Sequence, residues 1–271
     1  MSRAYLLLVV SLFGGWFMEP AIGAGNGGVE VTMSAEELAG TVRQLGEPAT
    51  EMAALRRLIK FADMFLYNGH LGLVANDPAD DELRRKATRA VHEHRSVESV
   101  GRALASEDRD IRYWAVMGFE FAHERRGPWL TLLPRLQAIA ASRQEDAGMR
   151  SKAIEKLQYY EQAAAFLRGL QDAPGETNPW VLMVLLRFNS QTPEWRARWY
   201  ARAVENLAHK DAEVRKLWLQ VIWGNVANPS TAPMWRVQAD PKLVESLEQI
   251  ARAGSDPEKE AAEGALSAFK K

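Results

Sequence analysis

The chain has 271 residues, no cysteine, and 34 Lys and Arg against 35 Asp and Glu, for a formal net charge of -1. That length is ample for a buried core, and the charge balance supplies no overall attraction to nucleic acid or to an anionic membrane. The lack of cysteine excludes disulfides, thiolate metal sites, a cysteine nucleophile and a lipid-modified cysteine at a signal junction.

Arg3 precedes an apolar run from Ala4 to Phe13 that continues to Met18, ends at Glu19 and Pro20, and is followed by the small residues Ala21, Gly23 and Ala24. A positive start, an apolar stretch of about 15 residues and a small-residue exit predict a secretory signal peptide over residues 1–24, too short to span a bilayer comfortably. Cleavage near Gly23 or Ala24 removes Arg3 and Glu19 together and leaves the charge unchanged; an uncleaved anchor is the alternative. The mature protein is therefore expected in an extracytoplasmic compartment, periplasmic or secreted, with no stable membrane insertion once the signal is removed. Residues 25–34 form a glycine-rich flexible lead. Gly23-x-Gly25-x-x-Gly28 spells a dinucleotide fingerprint, but it follows a signal segment instead of a strand and reads as a spacer.

From residue 35 to 271 the chain is rich in Ala and poor in alternating β-branched runs, which predicts helices throughout. Asp80-x-x-x-Arg84-x-x-Ala87, Asp108-x-x-x-Arg112-x-x-Ala115, Asp146-x-x-x-Arg150-x-x-Ala153 and Asp211-x-x-x-Arg215-x-x-Trp218 share one internal spacing. Their arginines, at 84, 112, 150 and 215, are 28, 38 and 65 residues apart, and the last gap is two periods of a helical repeat. The missing copy is degenerate: an apolar face of Phe166, Leu167 and Leu170, a turn at Asp172-Ala173-Pro174-Gly175, and a helix opened by Pro179-Trp180-Val181. Relaxed copies flank the series, Glu47-x-x-x-Glu51-x-x-Ala54 and Asp256-Pro257-x-Lys259-x-x-Ala262, as the ends of a repeat stack require.

The acidic residue suits the unpaired amides and positive dipole end of a helix start, and Arg four residues later is placed to bridge back to it. The Ala three residues further on lets a partner helix approach closely. Interleaved helices carry buried stripes: Val97, Val100 and Leu104; Trp129, Leu132, Leu133, Leu136 and Ile139; Tyr200, Val204 and Leu207; Leu243, Leu247 and Ile250. Two such helices per unit must stack to cover their apolar faces.

The Asp-x-x-x-Arg-x-x-Ala core, preceded by an amphipathic helix such as Leu132-Leu133-Pro134-Arg135-Leu136, resembles the HEAT repeat of armadillo-type α-solenoids. The resemblance covers residues 35–271 and implies an all-α, right-handed α-solenoid of about six or seven helical pairs. Asp110-Ile111-Arg112-Tyr113-Trp114-Ala115 with Gly118 is similar to HEAT units that accompany some exported bacterial sulfatases. The sulfatase nucleophile context, Cys or Ser followed by x-Pro-x-Arg, is absent from the sequence, so no activity comes with that likeness.

The histidines are His70, His92, His94, His123 and His209. In His92-Glu93-His94 the rings are two residues apart and point away from each other on a helix, so the trio reads as a solvent-exposed helix end. Glu120-x-x-His123 puts both groups on one face, but a di-iron site needs a second such pair. His92-Glu93 and His123-Glu124, 31 residues apart, resemble the iron-ligating His-Glu motifs of deoxyhypusine hydroxylase, a HEAT-like enzyme; that family has four such motifs, at the start of the second helix, not late in it. No Walker loop, Gly-x-Ser-x-Gly elbow or His-Glu-x-x-His motif occurs. No cofactor and no metal are expected.

Nine tryptophans are many for this length, and Trp129, Trp180, Trp195 and Trp235 follow closely behind Pro128, Pro179, Pro193 and Pro233. Proline starting a helix while the indole fills the gap between repeats is one explanation; an aromatic surface for a partner or a sugar is the other. Trp195, Arg198, Trp199 and Arg202 share one helical face and, with Trp235 in the long connection from Gly224 to Pro241, form the expected partner-binding residues. The expected function is an exported, non-enzymatic scaffold that binds a protein or polymer on its solenoid surface; the alternatives are a metal-dependent hydroxylase of the HEAT-like type or an accessory subunit of an exported hydrolase.

Overall fold

The computed structural model describes residues 32–68, 78–119, 126–173, 175–188, 194–227 and 240–269. The signal segment, His70, Glu120, His123, Glu124 and Trp235 lie outside the described residues. The chain divides into two compact units, one ending at His94 and the other beginning at Arg95.

The first unit holds α1 (Ala35–Gln44), α2 (Glu51–Asn68) and α3 (Pro78–Glu93), each packed on the other two. A capping box starts α1: Ser34 Oγ accepts from the Glu37 amide at 3.2 Å while Glu37 accepts from the Ser34 amide at 2.9 Å. The core is an apolar stripe of α2, with Leu55, Leu58, Ile59 and Phe61, closed by Ala87 and Val91 of α3. Glu51, which stands where the later repeats have arginine, is interior and meets His94 Nε2 at 2.8 Å. His94 is thus only partly exposed, whereas His92 and Glu93 are exposed as the helix-end reading requires.

The second unit is a series of helical pairs. They are α4 (Val97–Ala103) with α5 (Arg109–Gly118), α7 (Leu133–Ala141) with α8 (Ala147–Leu157), α9 (Ala164–Asp172) with α10 (Pro179–Phe188), α11 (Glu194–Leu207) with α12 (Ala212–Ala227), and α13 (Pro241–Ala253) with α14 (Asp256–Phe269). A short α6 (Arg126–Trp129) leads through a 3-10 turn, Leu130–Leu132, into α7. The second members pack in sequence, α5 on α8, α8 on α10, α10 on α12 and α12 on α14, which is the layering of an all-α solenoid. Among the described residues no helix is long and apolar enough to cross a membrane.

Ala115 and Ala153, at the small position of the motif, are fully buried, so the second helices approach closely there. In the fourth copy the position is Trp218, also fully buried. The degenerate copy supplies α9 and α10, joined by a turn in which Gly175 takes φ +84°, a backbone region that β-carbon sterics close to most residues. Asn178 replaces the capping Asp and accepts from the Trp180 and Val181 amides at 3.0 and 3.2 Å. In the last pair Ser255 caps α14 instead of Asp256, which falls inside the first turn.

Candidate interaction surface

Asp108, Asp146 and Asp211 cap as their spacing predicts, whereas Asp80 falls inside the first turn of α3. Asp108 accepts from the Asp110 and Ile111 amides at 2.9 and 3.3 Å, and Asp146 from the Met149 amide at 2.9 Å. Arg112, Arg150 and Arg215 turn to other partners instead. Arg112 donates to the Ser106 and Glu107 carbonyls, at 2.9 and 2.8 Å, and its Nε lies 2.7 Å from Glu145 of the following pair. Arg150 donates to the Ala140 carbonyl and is paired with Glu176, beyond α9. Arg215 donates to the His209 and Lys210 carbonyls and, at 2.8 Å, to Glu258 of α14. Each guanidinium thus closes the turn before its own helix and ties that turn to a carboxylate in a later pair.

The forward direction follows from geometry. The Asp carboxylate is already committed to one or two amides at the helix start, and a side chain four residues on lies beside those amides over the incoming turn, where carbonyls await a donor. Arg109 adds a parallel tie, with Nε 2.8 Å from Asp146 of the next pair. Glu258 is held by three donors: Ser255 Oγ and the Ser255 amide, followed by Arg215, pull its carboxyl down to about 2 from the usual 4.5.

Tryptophan takes over this task in the middle of the unit. Trp218 Nε1 donates to the Thr177 carbonyl at 2.7 Å, and Trp199 Nε1 to the Pro179 carbonyl at 3.2 Å. The two indoles lie 5.0 Å apart, and Trp199 meets Tyr200 edge-on at 5.9 Å. Farther up the stack Trp129 meets Phe119 edge-on at 5.3 Å, and Phe119 meets Tyr160 at 5.6 Å.

This arrangement corrects the partner-binding face read from the sequence. Trp199 is 1% exposed and belongs to the core, so it is closed to a partner. A helix inside a stack has neighbours on both flanks as well as its own pair partner, and its buried arc is wide enough to take in Trp199 together with Tyr200, Ala203 and Leu207. Trp195 packs against the same core, and the Arg196 guanidinium lies over its ring at 5.8 Å. Arg202 donates to the Ala173 carbonyl at the end of α9 and pairs with Glu205, a structural role matched by Arg135, which donates to the Gly101 carbonyl near the end of α4. Arg198 alone of the four points to solvent.

The large apolar side chains exposed among the described residues are Met117, Tyr159 and Trp223. Met117 is in the last turn of α5 and Trp223 on α12, both second helices, and Tyr159 lies two residues past a third, α8. Trp223 is the most exposed, at 44%. Its place depends on Gly264 of α14, where a β-carbon would sit 3.1 Å from indole Nε1 and Cε2. Nothing in the spacing singles this residue out, because Val221, Ile222, Trp223 and Val226 lie in a nearly continuous apolar run around α12. Among the described residues no group of three or more His, Asp or Glu side chains is placed to hold a metal ion.

No family model and no curated protein matches the chain. Among solved structures it is similar to a designed armadillo repeat protein crystallised with a (KR)4 peptide, at 17% identity and a TM-score of 0.44 over 86% of this chain and 99% of that one. It is also similar to an engineered protein at 16% identity and a TM-score of 0.43, over 88% of this chain and 97% of the other. What the chain shares with them is the helical-repeat fold alone, the class that the packing of α4 to α14 establishes.

Proposed function

We propose that the protein is an exported, non-enzymatic scaffold that binds a protein partner on the second-helix layer of its repeat stack. The observation that supports this reading is the placement of Met117, Tyr159 and Trp223 on or just past second helices, while Trp129, Trp199, Tyr200 and Trp218 are buried. The guanidinium and carboxylate groups of Arg112, Arg150 and Arg215 and their partners are committed to holding turns and neighbouring pairs together, which suits a surface that recognises instead of reacts. Export rests on the signal-like residues 1–24, and an exported hydrolase that this chain accompanies is one partner the reading accommodates.

The test is capture from the extracytoplasmic fraction with the wild-type chain, a Trp223→Ala/Tyr159→Ser variant and an Arg198→Glu variant, each checked by circular dichroism. A partner retained by wild type and lost with the first variant is the expected result. Loss only with Arg198→Glu would move the surface to α11. An unchanged partner list with both folded variants would reject both surfaces. Cell fractionation with N-terminal sequencing tests export: a mature chain starting near residue 25 outside the cytoplasm is expected, and a cytoplasmic chain with residues 1–24 intact would overturn it.

A further inference from the structure

The exposed indole of Trp223 has a specific electrostatic setting. On α12, one turn to either side of it, stand Leu219, Gln220, Val226 and Ala227; on α14, around its glycine seat, stand Glu260, Ala261, Glu263, Ser267 and Ala268. None of these is cationic, and Glu260 and Glu263 are exposed carboxylates within one turn of Gly264. The nearest described lysines along the two helices are Lys216 and Lys259, seven residues from Trp223 and five from Gly264. An aromatic surface carries negative charge on its face and attracts a cation, and flanking carboxylates add to that attraction. The glycine seat holds the indole against α14, so little side-chain freedom is lost when something stacks on it.

We infer that the Trp223–Gly264 seat receives a Lys or Arg side chain from a basic segment of the partner, with Glu260 and Glu263 as its counter-charges. This rests on the second-helix layer being the partner surface, and it names the chemistry of that partner.

Fluorescence anisotropy on the full mature chain tests it, with a labelled peptide alternating Arg and Gly, its Glu-Gly counterpart and a neutral oligosaccharide as probes. The Arg-Gly peptide should bind and the other two should not. Trp223→Ala should weaken that binding by about tenfold, Trp223→Phe should restore part of it, and Glu260→Gln/Glu263→Gln should weaken it several-fold, by about fivefold. Equal peptide binding by wild type and a folded Trp223→Ala variant would overturn the inference, as would Trp223-dependent binding of the oligosaccharide in place of the peptide. If a captured partner depends on Trp223 but is indifferent to Glu260→Gln/Glu263→Gln, the cation inference falls and the partner surface stands. If no partner depends on the second-helix layer, the surface itself falls, whatever the peptide does.

Discussion

Two stretches of the second unit hold their repeats in register by different chemistry. Between Ser106 and Glu176 the ties are charged: Arg109 to Asp146, Arg112 to Glu145 and Arg150 to Glu176. At Thr177 and Pro179 they are neutral, with the indole N–H groups of Trp218 and Trp199 donating to the two carbonyls. The positions being joined are equivalent, turns before second helices, so what the fold requires there is a long side chain with a donor at its tip. An indole meets that need where Leu182 has replaced the motif arginine, and it fills the space between helices as well. The charged form returns with Arg215 and Glu258.

The largest effect that would sharpen this comparison belongs to the neutral stretch. Trp218→Ala removes a fully buried indole and its hydrogen bond, and should lower unfolding free energy by about 4 kcal/mol in denaturant titration. Trp218→Phe should recover more than half of that loss, since packing outweighs the single hydrogen bond. Arg150→Ala should cost about 3 kcal/mol, because it strands the Glu176 carboxylate, itself mostly buried. A cost below about 0.5 kcal/mol would show that the charged ties are ornamental surface pairs.

The charged tie that returns with Arg215 and Glu258 carries a pH dependence that the indole ties lack. Glu258 has a folded value of about 2 against the usual 4.5, so below 4.5 the unfolded chain takes up a proton that the folded chain does not. The stability it contributes is therefore present above pH 4.5 and lost as pH falls towards 2. The melting temperature of Glu258→Gln should be lower than that of wild type near neutrality and should fall less steeply in that acid window.

The smallest expected effect concerns the two glycines near Trp223. Gly224, with open space around its β-position, should tolerate Ala with a gain of up to about 1 kcal/mol in helix propensity. Gly264→Ala should not show that gain, because its β-carbon meets the indole, and should recover it in a Trp223→Ala background. Thermal melts of the four variants check this.

The helical pairs and most of the buried stripes were legible because a capping residue and a 3.6-residue period are local properties. Asp108 and Asp146 start helices, and Leu132, Leu133, Leu136 and Ile139 are buried, as their spacing requires. The direction of the arginines was not legible. Their partners lie 33, 26 and 43 residues ahead, from Arg112 to Glu145, Arg150 to Glu176 and Arg215 to Glu258, with no fixed interval for a sequence pattern to catch. The face of α11 was misread for a related reason: helical spacing shows which residues share a side, and only the stack decides that the side bearing Trp199 faces inward. Trp223 escaped because an apolar run conceals which of its members lacks a neighbour.

The forward tie is tested most directly by two double-mutant cycles on Arg150, with Glu176 and with its own motif residue Asp146, each mutated to Ala and followed by equilibrium unfolding. A coupling of about 2 kcal/mol with Glu176 and below about 0.5 kcal/mol with Asp146 is predicted. The reverse order would mean that the arginine acts within its own helix, and that the repeats are held together by packing alone.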